Sequence, residues 1–208
     1  MRNNERTGEA LTLNEVALLA EVSERSVTKA LEEGVLSARR NAVPGIGLSG
    51  QRKLLDATAV GYLGLMHDLR HSGVSITIEG KRRILGYVSL LASRETQKDL
   101  EFGGPIVLKK SKSLPLVRRY MNAARRYAAS RDRWIVSDEA IMGGTPVIRG
   151  TRMTVYSVLG RVSGGDTIDE IAEENPDIRL EALAAALIYA KGNPMRGRPS
   201  GRRWHKAA

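Results

Sequence analysis

Thr12-Leu13-Asn14-Glu15 and Ser23-Glu24-Arg25-Ser26 begin eleven residues apart, and that spacing constrains the fold more than any other feature of the chain. A Thr followed three residues later by Glu is a capping box, in which each side chain satisfies the other's free backbone donor at a helix start. Val16, Leu19 and Ala20 then fall on one helical face. Ser23 caps a second helix with Val27, Ala30 and Leu31 inward and Gly34 as its C-terminal stop. Only Glu21-Val22-Ser23 separates the two. Two short amphipathic helices joined this tightly read as a helix-turn-helix.

Beyond Gly34 the period changes. Val35–Arg40 and Ile46–Leu48 flank the turn-rich Asn41–Gly45, which predicts a small β-wing carrying Arg39 and Arg40. Helical spacing returns with Leu55, Leu63, Met66 and Leu69, and a further helix is predicted over Ile78–Leu91. Glu101–Leu108 reads as a linker or an edge strand, and the basic stretch Leu114–Ala129 as a connecting helix. Trp134-Ile135-Val136 and Pro146-Val147-Ile148 are short β-like runs. Three helices follow, stopped by Gly164-Gly165, by Pro176, and by Gly192 with Pro194; a second capping box, Thr167 with Glu170, opens the middle one. The predicted class is mainly α with small β elements: a winged helix-turn-helix, then a small trihelical domain with a short β-hairpin. The predicted units are residues 1–92, a linker strand and connecting helix over 93–130, the trihelical domain over 131–193, and a flexible basic tail over 194–208. One Phe, two Trp and six Tyr leave the core to be built from Leu, Ile, Val and Ala.

Charge points to the partners. Thirty-three Lys and Arg against 23 Asp and Glu leave +10, an excess that concentrates polyanions around the chain. It is unevenly spread. Residues 109–133 hold nine bases and one acid, Asp132; residues 192–208 hold five bases and no acid; residues 161–190 hold seven acids and two Arg. The first two stretches suit nucleic acid and the third suits protein. The absence of cysteine removes disulfides, thiolate zinc sites and thiol nucleophiles. No apolar run reaches the roughly 18 residues of a membrane helix, so a cytoplasmic protein is expected, with no membrane partner.

Catalytic signals are weak. His67 and His71 have the i,i+4 spacing of a zinc pair without a third ligand, and are expected to be two exposed histidines. Gly143-Gly144-Thr145-Pro146 lacks the lysine of a phosphate loop, and the adjacent Asp138 and Glu139 diverge on any regular element. No enzyme, metal or cofactor is expected.

In a helix-turn-helix the second helix presents its N-terminal residues to base edges in the major groove. Arg25, Ser26, Thr28 and Lys29 occupy those outward positions, Arg39 and Arg40 lie on the wing, and Arg52 beyond it completes the expected DNA-binding set. The run from Leu13 to Leu36, with Gly34-Val35-Leu36 leading into the wing, resembles the N-terminal module of MerR-type regulators. Arg52 through Gly73, read as a helix followed by Gly73-Val74-Ser75, is similar to that module's second half. The chain departs from the family at Thr28-Lys29-Ala30, where tyrosines are usual. The resemblance implies operator DNA as partner and a two-fold homodimer.

Residues Ser137 to Arg152, with Gly165-Asp166-Thr167-Ile168, Glu174-Asn175-Pro176 and Ala185-Ala186-Leu187-Ile188-Tyr189-Ala190, resemble the family of domains of unknown function numbered 433. Arg179 departs from it, standing where a Thr cap is common. Chains with this domain resemble VapB-type antitoxins. That resemblance implies a PIN-type, VapC-like ribonuclease toxin as partner, and repression of the pair's own promoter. The other reading is a stand-alone MerR-like regulator with no toxin. In the tail, Arg196, Arg198, Arg202, Arg203 and the anchor Trp204 suit a carboxylate-lined metal pocket of such a toxin. Arg196-Gly197-Arg198-Pro199 also resembles an AT-hook for the DNA minor groove, and a plain solvated terminus is the third reading.

Overall fold

Both predicted capping boxes form, and they fix where the chain turns helical. At the first, the Thr12 N–H donates to Glu15 Oε2 at 2.8 Å and the Glu15 N–H to Thr12 Oγ1 at 3.3 Å. At the second, the Thr167 N–H donates to Glu170 Oε2 at 2.7 Å and the Glu170 N–H to Thr167 Oγ1 at 3.2 Å. The last helix, by contrast, has Arg179 in the cap position and no side-chain cap there. The computed structural model describes residues 9–43, 48–71, 73–96, 98–101 and 107–195.

β1 (Leu11–Thr12) runs straight into α1 (Leu13–Leu19), and α2 (Glu24–Glu32) follows after a short turn. β2 (Arg39–Val43) and β3 (Leu48–Leu55) then join β1 in one antiparallel sheet, ordered β1-β3-β2, with Leu11 opposite Leu55 and Arg39 opposite Leu54. α3 (Ala57–His71) and α4 (Ile78–Ser93) lead to a two-stranded pair, β4 (Leu100–Glu101) and β5 (Val107–Leu108). α5 (Lys110–Trp134) is followed by a second pair, β6 (Ile135–Val136) and β7 (Val147–Ile148), in which Ile135 faces Ile148. Three helices close the described chain: α6 (Val155–Ser163), α7 (Ile168–Glu174) and α8 (Leu180–Gly192). The architecture is mainly helical with small antiparallel sheets.

Two expectations need correction. The helix after the wing starts at Ala57, not near Leu55, and Arg52 lies in a strand. Leu54 and Leu55 are buried as ladder residues opposite Thr12 and Leu11, and Asp56 Oδ1 caps the new helix by accepting the Ala59 N–H at 3.1 Å. The core is also less aliphatic than expected. Tyr62, Tyr87, Tyr120, Tyr127 and Tyr189 are all buried, where a long ring fills volume while its hydroxyl finds a partner. The Tyr87 hydroxyl, for example, donates to the Lys98 carbonyl at 3.2 Å.

α3 and α5 cross closely because α3 is apolar on nearly every face and carries glycine at the crossing. A Cβ at Gly64 would lie 2.3 Å from Tyr120 Cδ2, and one at Gly61 2.7 Å from Met121 Cγ. α8 is the other central helix. It packs on α6, α5 and α1, burying Ala182, Leu183, Ala185, Ala186, Tyr189 and Ala190. The apolar cluster runs unbroken from Leu11 to Ala190.

Candidate nucleic-acid interface

α2 is held at both ends. Ser23 Oγ accepts the Ser26 N–H at 3.2 Å at its start, while Val27 and Ala30 turn inward. At its close, Gly34 takes a left-handed φ of +62°, which a side chain would strain. The Val35 and Leu36 N–H groups then return to the Ala30 carbonyl at 3.0 Å each. α4 locks the same end: Arg82 Nη2 donates to the Glu33 carbonyl at 3.1 Å, and Lys81 Nζ lies 2.6 Å from Glu33 Oε2. Two cations at a helix C-terminus also suit the helix dipole. The hydrogen bond from Lys81 holds the Glu33 carboxyl below the usual carboxylate range.

The outer face of α2 carries the residues read from the sequence. Arg25 is exposed, with Nη1 3.3 Å from Glu32 Oε1. Lys29 is exposed, with Nζ 3.9 Å from Glu33 Oε1. Ser26 and Thr28 are half-buried, and Ser26 Oγ lies 3.1 Å from Ser23 Oγ. Arg39 is exposed on β2, Arg40 follows with its backbone opposite Lys53, and Arg52 on β3 stands opposite Asn41. All seven therefore lie on α2 or the adjoining β2–β3 ladder. Within Glu24–Glu32 two acids balance the two bases. Arg196, Arg198, Arg202, Arg203 and Trp204 lie outside the described residues, as does the middle of the predicted wing turn.

Arg52 has a second engagement that sequence reasoning missed. Its Nη1 donates to Asn193 Oδ1 at 3.2 Å, and Asn193, at the end of α8, leads into a buried polar hub centred on Glu15. The Glu15 carboxylate accepts from four donors: the Thr12 N–H, Tyr127 Oη at 2.5 Å, Arg131 Nη1 at 3.2 Å and Asn193 Nδ2 at 3.1 Å. Glu15 is wholly buried and Arg131 1% exposed. Arg131 also donates to the Ala10 carbonyl at 2.8 Å and to Asp132 Oδ1 at 2.9 Å. Burial opposes the guanidinium's charge, but Glu15 and Asp132 more than offset it, so its pKa stands above the ordinary value. Burial, reinforced by Glu15, pushes the Tyr127 hydroxyl well up. The hub ties the first helix to α5 and α8. Nothing local in the sequence announces it, since Tyr127, Arg131 and Asn193 each lie over a hundred residues from Glu15.

The other polar candidates are separate. His71 Nδ1 lies 2.8 Å from the His67 carbonyl, with the rings 4.3 Å apart. Among the described residues no three His, Asp or Glu group as a metal site would require. Asp138 works locally: its Oδ1 accepts the Ala140 N–H at 2.9 Å, ahead of Met142, Gly143 and Gly144, which all have positive φ. No helix among the described residues is long and apolar enough to cross a membrane.

Residues 135–190, the β6–β7 pair with α6, α7 and nearly all of α8, match the family described as "Protein of unknown function (DUF433)". That is the segment expected to belong there. An uncharacterized protein, y4eO of Sinorhizobium fredii (strain NBRC 101917 / NGR234), is 39% identical over 85 residues, 41% of this chain. The match spans 38% of that protein's length. The crystal structure of Rv2018 from Mycobacterium tuberculosis is similar over 86% of this chain and 97% of that one, at 16% identity and a TM-score of 0.34. In the DUF433 region of this chain, α8 leaves Leu180, Glu181, Ala184 and Lys191 exposed and spends its other faces on α6, α5 and α1.

Proposed function

We propose that the chain is an operator-binding antitoxin: a homodimer that reads duplex DNA through α2 and the β2–β3 wing, and that inhibits a PIN-type, VapC-like ribonuclease toxin. The observation that carries the DNA half is the α1–turn–α2 pair followed by an antiparallel β2–β3 ladder, with Arg25, Ser26, Thr28 and Lys29 on the outer side of α2. A recognition helix works in this way, its first turns on base edges and its flanks on phosphate. Arg39 and Arg40 extend the phosphate contacts along the wing. The toxin half rests on the VapB resemblance of the C-terminal segment and on the arginines of the tail. Arg196, Arg198, Arg202 and Arg203 would pair with the carboxylates of a metal-dependent nuclease, with Trp204 seated beside them.

One experiment tests both halves. The full chain is mixed with a fragment of its own promoter, and separately with the product of the neighbouring gene in a ribonuclease assay. Promoter binding with silenced cleavage supports the whole proposal. Promoter binding without any nuclease to silence supports instead a stand-alone regulator. Indifference to the promoter at low salt removes the DNA half.

A further inference from the structure

The outer face of α5 presents Arg118, Arg119, Asn122, Arg125, Arg126, Ala129 and Arg133, all exposed. They fall on one side because 118, 122, 125, 126, 129 and 133 follow the i, i+3, i+4 rows of a helix. The opposite side buries Val117, Tyr120, Met121, Ala124, Tyr127, Ala128 and Arg131. From Arg118 to Arg133 the stripe spans about 22 Å at 1.5 Å per residue. Of the acids nearby, Asp132 is taken up by buried Arg131, and Glu181, which lines one groove with Arg126 and Arg133, accepts from Trp134 Nε1 at 2.9 Å. Arg125 meets Glu9 at 3.3 Å. Among the described residues no acid pairs with Arg118 or Arg126.

We propose that this arginine stripe is a second phosphate-binding surface, which extends the DNA footprint beyond α2 and the wing. It rests on the DNA reading above and answers a difficulty in it. α2 has no net charge between Glu24 and Glu32, so it can discriminate bases but releases few counterions. Affinity for a polyelectrolyte comes mainly from cations set against phosphates, and the stripe supplies them. Its position fits. Leu19, at the end of α1 beside the turn into α2, lines an open groove with Arg126 and Arg133, whose other wall is α8 with Glu181, Ala184, Ala185 and Ile188, and Glu9 ties Arg125 to the lead-in of β1. Among the fully exposed residues of α5 from Arg118 to Arg133, Ala129 is the one apolar group, so this face is dominated by guanidinium groups, which suit phosphate better than the apolar centre of a protein interface.

The test measures binding of the full chain to an arbitrary-sequence DNA duplex as salt is raised. Arg118, Arg126 and Arg133 are changed together to Gln in one variant and to Lys in another. The Gln variant should lower the slope of log affinity against log salt by roughly 2 to 3, since each phosphate contact is worth about 0.9. The Lys variant should keep the slope. Wild-type binding with an unchanged slope in the Gln variant overturns the stripe alone, as does loss of toxin capture with DNA binding intact, which would make the counterpart an acidic protein. A wild type that ignores the duplex at low salt overturns the DNA reading itself, and the stripe with it.

Discussion

Arg131 and Glu15 lie 116 residues apart in the chain and meet in a buried ion pair, Nη1 to Oε2 at 3.2 Å. Removing one member of such a pair leaves a charge in a dry interior, which is far costlier than the pair is worth. Arg131→Met is expected to lose about 3 to 5 kcal/mol of folding stability, and Glu15→Gln in the same background to return part of it. Urea unfolding of both single variants and the double closes the cycle. Additive losses would show that the two do not act together.

Glycine is required at one site and wasted at another. A Cβ at Gly64 would lie 2.3 Å from the Tyr120 ring, whereas one at Gly86, inside α4, would meet nothing within 4 Å. Gly64→Ala should therefore cost on the order of 1 to 3 kcal/mol by forcing α3 and α5 apart. Gly86→Ala should add about 0.5 to 1 kcal/mol through helix propensity. Thermal melts of the two variants should move in opposite directions.

Glu33 gives the molecule an acid-sensitive contact. Lys81 holds its folded-state pKa below the usual 4.5, so the stabilisation is complete above that value and fades as pH falls through the lower, folded one. Below about pH 4.5 the wild type should lose stability more steeply than Glu33→Gln, measured as denaturation midpoints across an acid series. Parallel curves would remove Glu33 from the account.

Two substitutions on α2 separate reading from gripping. Arg25→Ala should cost about 1 to 3 kcal/mol of operator affinity and relax discrimination at one base pair, while Lys29→Ala should weaken all duplexes alike and lower the salt slope by about 1. Neither should disturb folding much, because exposed ion pairs such as Arg25 with Glu32 are worth at most about 1 kcal/mol. Fluorescence anisotropy on matched and mismatched duplexes distinguishes the two effects.

Local signals were readable and distant ones were not. Thr12 with Glu15, Ser23, and Thr167 with Glu170 mark helix starts because a cap is decided within four residues, and the structure has all three. Arg52 to Leu55 could be read as helix because Leu54 and Leu55 are apolar neighbours with no alternation to betray a strand. Only pairing with Thr12 and Leu11 decides the matter. The outward residues of α2 follow from its period, but the Asn193 engagement of Arg52 does not. It depends on α8 returning to the first helix, as does the role of Glu15 beyond its cap. Arg131 looked like one more member of a basic stretch, since nothing in the order of residues tells a buried arginine from the exposed ones around it.

The seating of α8 has a thermal consequence. A helix clasped by α1, α5 and α6 cannot let go of one neighbour without baring apolar surface on the others, so the front and rear of the chain should melt together. Calorimetry should record a single endotherm with matching calorimetric and van't Hoff enthalpies, and shearing away the DUF433 segment should leave a remnant that clumps instead of a working miniature.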